Sequence, residues 1–348
     1  MKKLPINNYI YRNRLLWLLS LLLVSSCSLL NSPSQIKSPD PIYWPAKPNK
    51  PVIQYLGEFR NSGDLKITQS LWRRFVELFA GEKDTHLVKP MAVVTDSQGV
   101  IYVADPGARG VHRFDQLNQS YALILQKDDR PLPSPVALLL DNQSNLIISD
   151  SKLAALYKVN KGETVAKKFI TEAQFKQPTG LAAGNNNFYV VDTTEHKIFN
   201  LNFNGQLINQ FGHRGIADGE FNYPTMLTLS NNQLLVADSL NFRIQRLDSH
   251  GKFINKFGKQ GDATGYHSRP KGIATDKDQN IYVVDGLFHT VQIFDNAGNF
   301  LMNFGEQGQA AGQFWLPTGI SIDPQQTIYI ADSYNQRIQM FRFLGAEQ

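Results

Sequence analysis

Cysteine is almost missing from this sequence: of 348 residues only Cys27 carries a thiol. One thiol can build neither an intrachain disulfide framework nor a Cys-rich zinc site. Long hydrophobic runs are missing too. The most apolar stretch, Leu15 to Val24, has ten residues; at about 1.5 Å per residue it falls short of a hydrocarbon core of about 30 Å. Neither G-x-S-x-G nor H-E-x-x-H occurs, so the corresponding serine-hydrolase and zinc-protease sites are excluded. Charge of one sign is also scarce. The formal net charge is +5, from 35 Lys and Arg against 30 Asp and Glu. Four of the basic residues, Lys2, Lys3, Arg12 and Arg14, lie in the first 26 positions, which hold no acidic residue. The remainder carries 31 basic and 30 acidic residues and gives no electrostatic footing for nucleic acid. With 42% hydrophobic residues, the chain nevertheless has ample material for a core.

What is present begins with an address. The basic start and the apolar run have the order of a secretory signal. Val24-Ser25-Ser26-Cys27 follows directly and resembles a bacterial lipobox. That resemblance implies cleavage before Cys27 and acylation of Cys27, and Ser28 in place of Asp implies sorting to the outer membrane, facing the periplasm. Several acyl chains make a stable anchor where one does not. Residues 1–26 therefore read as the signal and residues 27–51, with Pro33, Pro39, Pro41, Pro45, Pro48 and Pro51, as an extended tether. Residues 52–81 read as a lone strand, Val52 to Phe59, followed by an amphipathic helix from Asp64 to Ala80, with Leu65, Leu71, Trp72, Phe75, Val76 and Phe79 on one face.

Residues 82–348 repeat. Pro90, Pro135, Pro178, Pro224, Pro270 and Pro317 follow one another at intervals of 43 to 47 residues, and each precedes an aspartate by 14 or 15 residues: Asp105, Asp150, Asp192, Asp238, Asp285 and Asp332. These prolines mark units one to six. Each unit reads as four short strands: in unit four PTMLTLS, QLLVADS, FRIQRLD and KFINKFG, with turn residues between them. Four-stranded units of this period are propeller blades. The sixth unit ends after its third strand, and Val52 to Phe59 can supply the fourth, which closes the ring and leaves no open edge. The expected fold is all-β, a six-bladed β-propeller with one short N-terminal helix.

The units resemble NHL repeats. Ile328 to Phe341 (IYIADSYNQRIQMF) and Leu235 to Leu247 (LVADSLNFRIQRL) carry the pattern, as do the loops opening at Phe211-Gly212, Phe257-Gly258 and Phe304-Gly305. Units one to three are degenerate, and unit five lacks the Asn and Arg that follow the aspartate in units four and six. Overall the chain is similar to bacterial six-bladed propeller lipoproteins.

The six aspartates end the second strands, where a carboxylate accepts hydrogen bonds from the following turn, so they read as architecture. Asp238 and Asp332 have Arg243 and Arg337 five residues on, positioned for structural ion pairs. Up-and-down topology sends the loops before each proline and the turns after each aspartate to one face. That face collects five of the seven histidines, His86, His196, His213, His267 and His289, with Lys89, Arg109, Arg214, Tyr223, Arg269 and Lys271. It is the candidate binding face for an envelope protein, peptide or glycan. Lipid attachment falls to Cys27. No catalytic residue, metal ligand or cofactor is assigned, no nucleic-acid partner is expected, and the chain reads as a monomer. The alternative class is a metal-dependent lyase or lactonase-like hydrolase, which related propellers include. Such a site needs inward-pointing His or carboxylates on the first strands, and those strands carry none.

Overall fold

The structure is a computed structural model that describes residues 41–46, 50, 52–67, 85–169 and 171–345. The leader, Cys27, most of the tether and residues 68–80 of the expected helix lie outside the described residues.

The fold is an all-β propeller built from four-stranded antiparallel sheets. Units three, four and five are each one such sheet. Unit four shows the plan: Pro224–Ser230, Gln233–Asp238, Arg243–Asp248 and Phe253–Phe257 pair in chain order. Units one and two join into an eight-stranded sheet because their outer strands, Ser120–Gln126 and Val165–Phe169, pair in parallel at Val165 with Leu125 and Ala166 with Gln126. Unit six contributes Ile320–Ile322, Thr327–Asp332 and Arg337–Phe343. Its fourth strand comes from the other end of the chain: Ile53–Phe59 runs antiparallel to Arg337–Phe343. Tyr43–Trp44 adds a short outermost strand. The proline-rich tether therefore gives way to ordered sheet before residue 51, with Trp44 tilted against Phe304 and Phe341.

The expected helix is corrected at its start. Residues 62–66 form a turn and Lys66 has φ 56°, outside the helical range. Asn61 Oδ1 accepts from the Gly63 and Asp64 amides, and Asp64 Oδ2 accepts from Arg60 N, so the polar side chains that would cap a helix close a loop instead. Leu65 and Ile67 are buried against Phe59 and Phe114.

The core consists of clusters shared between neighbouring sheets, because each strand alternates side chains to the two faces of its sheet. One cluster joins units one and two, and others join two to three, three to four, four to five and five to six. A further cluster, with Phe59, Val103 and Ala331, joins unit six to unit one. The first strands touch in the same cyclic order, from Ala92–Thr95 through each unit to Ile320–Ile322 and back. Their closeness explains the glycine of the Pro-x-Gly motif. A methyl group on Gly272 would stand 2.4 Å from Thr318 O, and one on Gly319 2.4 Å from Met91 O. Threonines that follow the proline bond across the same gaps between first strands: Thr225 Oγ1 to Lys271 O at 3.2 Å and Thr318 Oγ1 to Met91 O at 3.1 Å.

Candidate functional site

The aspartates pin two segments each, more than the one turn the sequence suggests. All six are fully buried. Asp105 accepts from Val88 N and Lys89 N in the preceding loop and from Ala108 N in the following turn. Asp150, Asp192 and Asp285 do likewise. Burial alone would raise the Asp105 carboxyl, but the nearby His112 ring and the bonds from Val88 and Ala108 outweigh it and hold it below the usual carboxylate range. In units four and six the arginine completes the clasp. Arg243 Nε meets Asp238 Oδ2 at 2.8 Å and Arg337 Nε meets Asp332 Oδ2 at 2.8 Å. Arg337 Nη1 also reaches Glu58 Oε2 at 2.6 Å, so a buried guanidinium ties the first strand to the last sheet.

The histidines expected to form a mouth disperse. His267 is fully buried, fills the position held by Phe221 and Phe314 in the neighbouring units, and leans on Phe294. Burial depresses its pKa strongly, with Asp285 opposing. His196 and His289 sit at matching turn positions with φ 54° and 55°, and their Nδ1 atoms accept from Tyr223 N and Leu316 N of the next unit at 3.1 and 3.0 Å. Serving as acceptors they must be neutral, and burial depresses both. These contacts tie all three imidazoles into the fold. His213 is exposed and pairs with Glu220 at 3.1 Å. Arg109 is exposed at the turn of unit one, where its carbonyl accepts from Leu132 N.

The basic residues do come together. At the position after the proline, units three, four and six have Thr179, Thr225 and Thr318. Thr179 and Thr318 pair at 2.7 Å with Thr193 and Ser333, the residues after the aspartates. Unit five replaces that hydroxyl pair with Lys271 and Gly286. The two changes fit each other, since a methyl on Gly286 would stand 3.2 Å from Lys271 Cδ and Cε. The lysine stem thus lies over the glycine at the mouth of the ring. Burial first, then the charges of Arg269 and Lys89, pull the Lys271 ammonium below the usual lysine range, and Asp285 opposes them. Beside this cluster stand aromatic residues that sequence reasoning missed. Trp315 and Tyr334 stack at 6.4 Å, with side chains 40% and 55% exposed, and Lys89 Nζ lies 5.6 Å from the Tyr334 ring centre. Tyr223 and Leu287 are exposed on the same face. The signal was available: Tyr334 stands two residues after its aspartate, at the apex of a turn, where a large apolar side chain has no core to enter.

The axial channel is different in chemistry. Its volume is about 340 Å³, and its walls are the first strands. Thr228, Thr275 and Ser321 supply its only polar side chains among the described residues, with no carboxylate or imidazole. Nor do the described residues hold any cluster of three or more metal-donor side chains. This lining does not fit a catalytic metal at the axis.

Comparison with known proteins agrees with the architecture. No curated protein matches the sequence. Among solved structures, an auxiliary nutrient binding protein from Bacteroides thetaiotaomicron is 14% identical, with TM-score 0.59 over 74% of this chain and 70% of that one. Virginiamycin B lyase from Staphylococcus aureus is 16% identical, with TM-score 0.54 over 74% and 96%. A gluconolactonase from Xanthomonas campestris is 14% identical, with TM-score 0.57 over 74% and 86%. At these identities the likeness speaks for the fold. The NHL repeat family matches residues 314–341, the segment from the loop of unit six through its third strand. The chain is a β-propeller that carries an NHL repeat at residues 314–341.

Proposed function

We propose that this protein is a non-catalytic binding scaffold of the cell envelope, which holds an acidic group of a protein, peptide or glycan partner at the mouth of a six-bladed ring. The cyclic contacts of the first strands and the clusters between successive sheets support the count of six. The observation that carries the function is the paired replacement of Thr and Ser by Lys271 and Gly286. It sets a half-buried ammonium, without a hydrogen-bonding partner among the described residues, beside Lys89 and Arg269. Three like charges at one mouth are unfavourable in the unliganded protein, and an acidic ligand relieves that repulsion. The stacked Trp315 and Tyr334 add amphipathic contact area of the kind enriched at binding hot spots. Nutrient-binding neighbours accord with this reading. The lyase and lactonase neighbours share the fold, but the channel, lined by aliphatic side chains and three hydroxyls, offers their chemistry no ligand set.

The anchor belongs to the same proposal. Acylated Cys27 would hold a monomeric propeller at the outer membrane, facing the periplasm, on the tether of residues 27–51. Labelling cells with an alkyne fatty acid should mark the chain and not Cys27→Ala; equal labelling of both would remove the anchor. For the mouth, a hexaglutamate peptide titrated into the full-length chain should bind in a salt-dependent manner. The triple variant Lys89→Glu, Arg269→Glu, Lys271→Thr should lose at least tenfold in affinity. Unchanged affinity would overturn the assignment.

A further inference from the structure

The arginine clasp of units four and six has a counterpart in unit five from which the arginine is missing. In unit four, Arg243 Nη1 donates to Ile216 O at 2.9 Å and Nη2 to Ala217 O and Glu220 O at 2.8 and 2.9 Å. In unit six, Arg337 Nη2 donates to Ala310 O and Gln313 O at 2.8 and 2.7 Å. The corresponding residue of unit five is Thr290. It is buried, and its hydroxyl turns back to Phe304 O at 2.8 Å. The loop that receives the guanidinium is nonetheless retained. The Gln260–His267 bridge repeats Arg214–Phe221 and Gln307–Phe314. Ala263 O accepts from Tyr266 N at 2.9 Å, as Ala217 O and Ala310 O accept from Glu220 N and Gln313 N. Gln292 Nε2 donates to Tyr266 O at 2.7 Å, as Gln245 and Gln339 donate to Glu220 O and Gln313 O. Each of these carbonyls has a second lone pair, which in the sibling units an arginine uses.

In place of the arginine there is a cavity of about 440 Å³. Asp262, Tyr266, Phe288, Thr290, Phe300 and Glu306 are among its walls. The carboxylate of Asp262 has no hydrogen-bonding or ionic partner among the described residues. Glu306 shares one oxygen with Gln313 Nε2 at 3.0 Å. Among the described residues no lysine or arginine lines the cavity; Lys259 sits over Tyr266, with Nζ 4.4 Å from the ring centre, outside the lining. Two carboxylates, spare carbonyl lone pairs and the faces of Phe288 and Phe300 all favour positive charge.

We propose that this cavity is a receptor for a guanidinium group, supplied from outside the chain in the place where units four and six supply their own. The site is independent of the mouth at Lys271 and opposite to it in charge preference. A planar donor fork matches the arrangement of acceptors that Arg243 and Arg337 occupy, which a spherical ammonium does not reproduce.

The test is calorimetric titration of the full-length chain in detergent with N-acetylarginine amide, and with N-acetylcitrulline amide as the uncharged isostere. The arginine derivative should bind at least tenfold more tightly than the citrulline one. Asp262→Asn combined with Glu306→Gln, both at the exposed rim, should weaken it at least tenfold. Thr290→Arg should abolish binding and raise the melting temperature, because the chain then fills its own slot. Equal binding of the two derivatives, no detectable binding of the arginine derivative, or full binding in the Asn and Gln double variant would overturn the proposal.

Discussion

Units four and five have the same strands, the same loop length and the same buried aspartate, yet they spend their polar residues differently. Unit four locks its loop with Arg243 and Asn241 on Asp238 and places Phe221 beneath it. Unit five has Thr290, Phe288 and His267 at those positions, and Lys271 with Gly286 where its siblings have hydroxyls. Backbone amides from Ser268, Arg269, Leu287 and Phe288 still satisfy Asp285. The backbone therefore carries the fold, and the side-chain clasp is dispensable, in unit five as in units one to three. Unit five in addition carries Lys271 of the cationic cluster at the mouth and, at the place of the missing arginine, a cavity.

This contrast can be broken at several points. The largest effect should come from the joint between the chain ends. Deleting residues 53–59 removes a strand whose Ile53 and Phe59 are fully buried and strips unit six of its fourth strand. Loss of a cooperative thermal transition is expected by circular dichroism, and an unchanged melt would refute the shared sheet. Next, Arg337→Ala leaves buried Asp332 without its ionic partner and leaves Glu58 only Arg60 and Tyr55, and should cost about 3–5 kcal/mol in chemical denaturation. The equivalent position of unit five gives the comparison: Thr290→Ala removes one hydroxyl and should cost about 1 kcal/mol.

His267→Phe should work in the opposite direction. His267 Nε2 is buried without a hydrogen-bond partner, and the siblings place Phe there. Removing the orphaned atom should stabilise by about 1–3 kcal/mol. The sign with pH is fixed. The folded-state pKa lies below the unfolded value of about 6.5, so between the two the unfolded chain binds more protons and stability falls as pH falls. The wild type should therefore lose stability below about pH 6.5 faster than His267→Phe. Parallel pH profiles would contradict this account of His267. An effect as small as that of Thr290→Ala is expected for Thr318→Val, which removes the bonds to Met91 O and Ser333 and should cost about 1 kcal/mol.

The sequence displays the repeat because period, proline and aspartate are imposed by local backbone needs that every unit shares. It also displays the missing fourth strand of unit six, since a strand with no neighbour must pair somewhere. The contacts of the histidines were not legible for a related reason. A loop residue assigned to a face by topology can still turn inward, and only the third dimension shows that His267 aligns with Phe221 and Phe314 or that His196 and His289 accept from the next unit. The Lys271–Gly286 exchange was in principle legible by aligning units, but its meaning depends on the lysine stem crossing the glycine. The helix from Asp64 failed at its first turn because Asn61 and Asp64 satisfy a loop as readily as a cap, and Leu65 and Ile67 gain more by entering the core beside Phe59.

The central claim is that the mouth around Lys271 is where a partner binds. It is tested most directly by site-specific photocrosslinking in intact cells. The probe is placed at Trp315 beside the cluster, and in a second strain at Lys277 in the turn after the inner strand of unit five. The account predicts a discrete crosslinked partner from position 315, absent from position 277 and lost when Lys89, Arg269 and Lys271 are replaced together. The same partner captured from both positions, or capture from position 315 that survives the triple replacement, would contradict it.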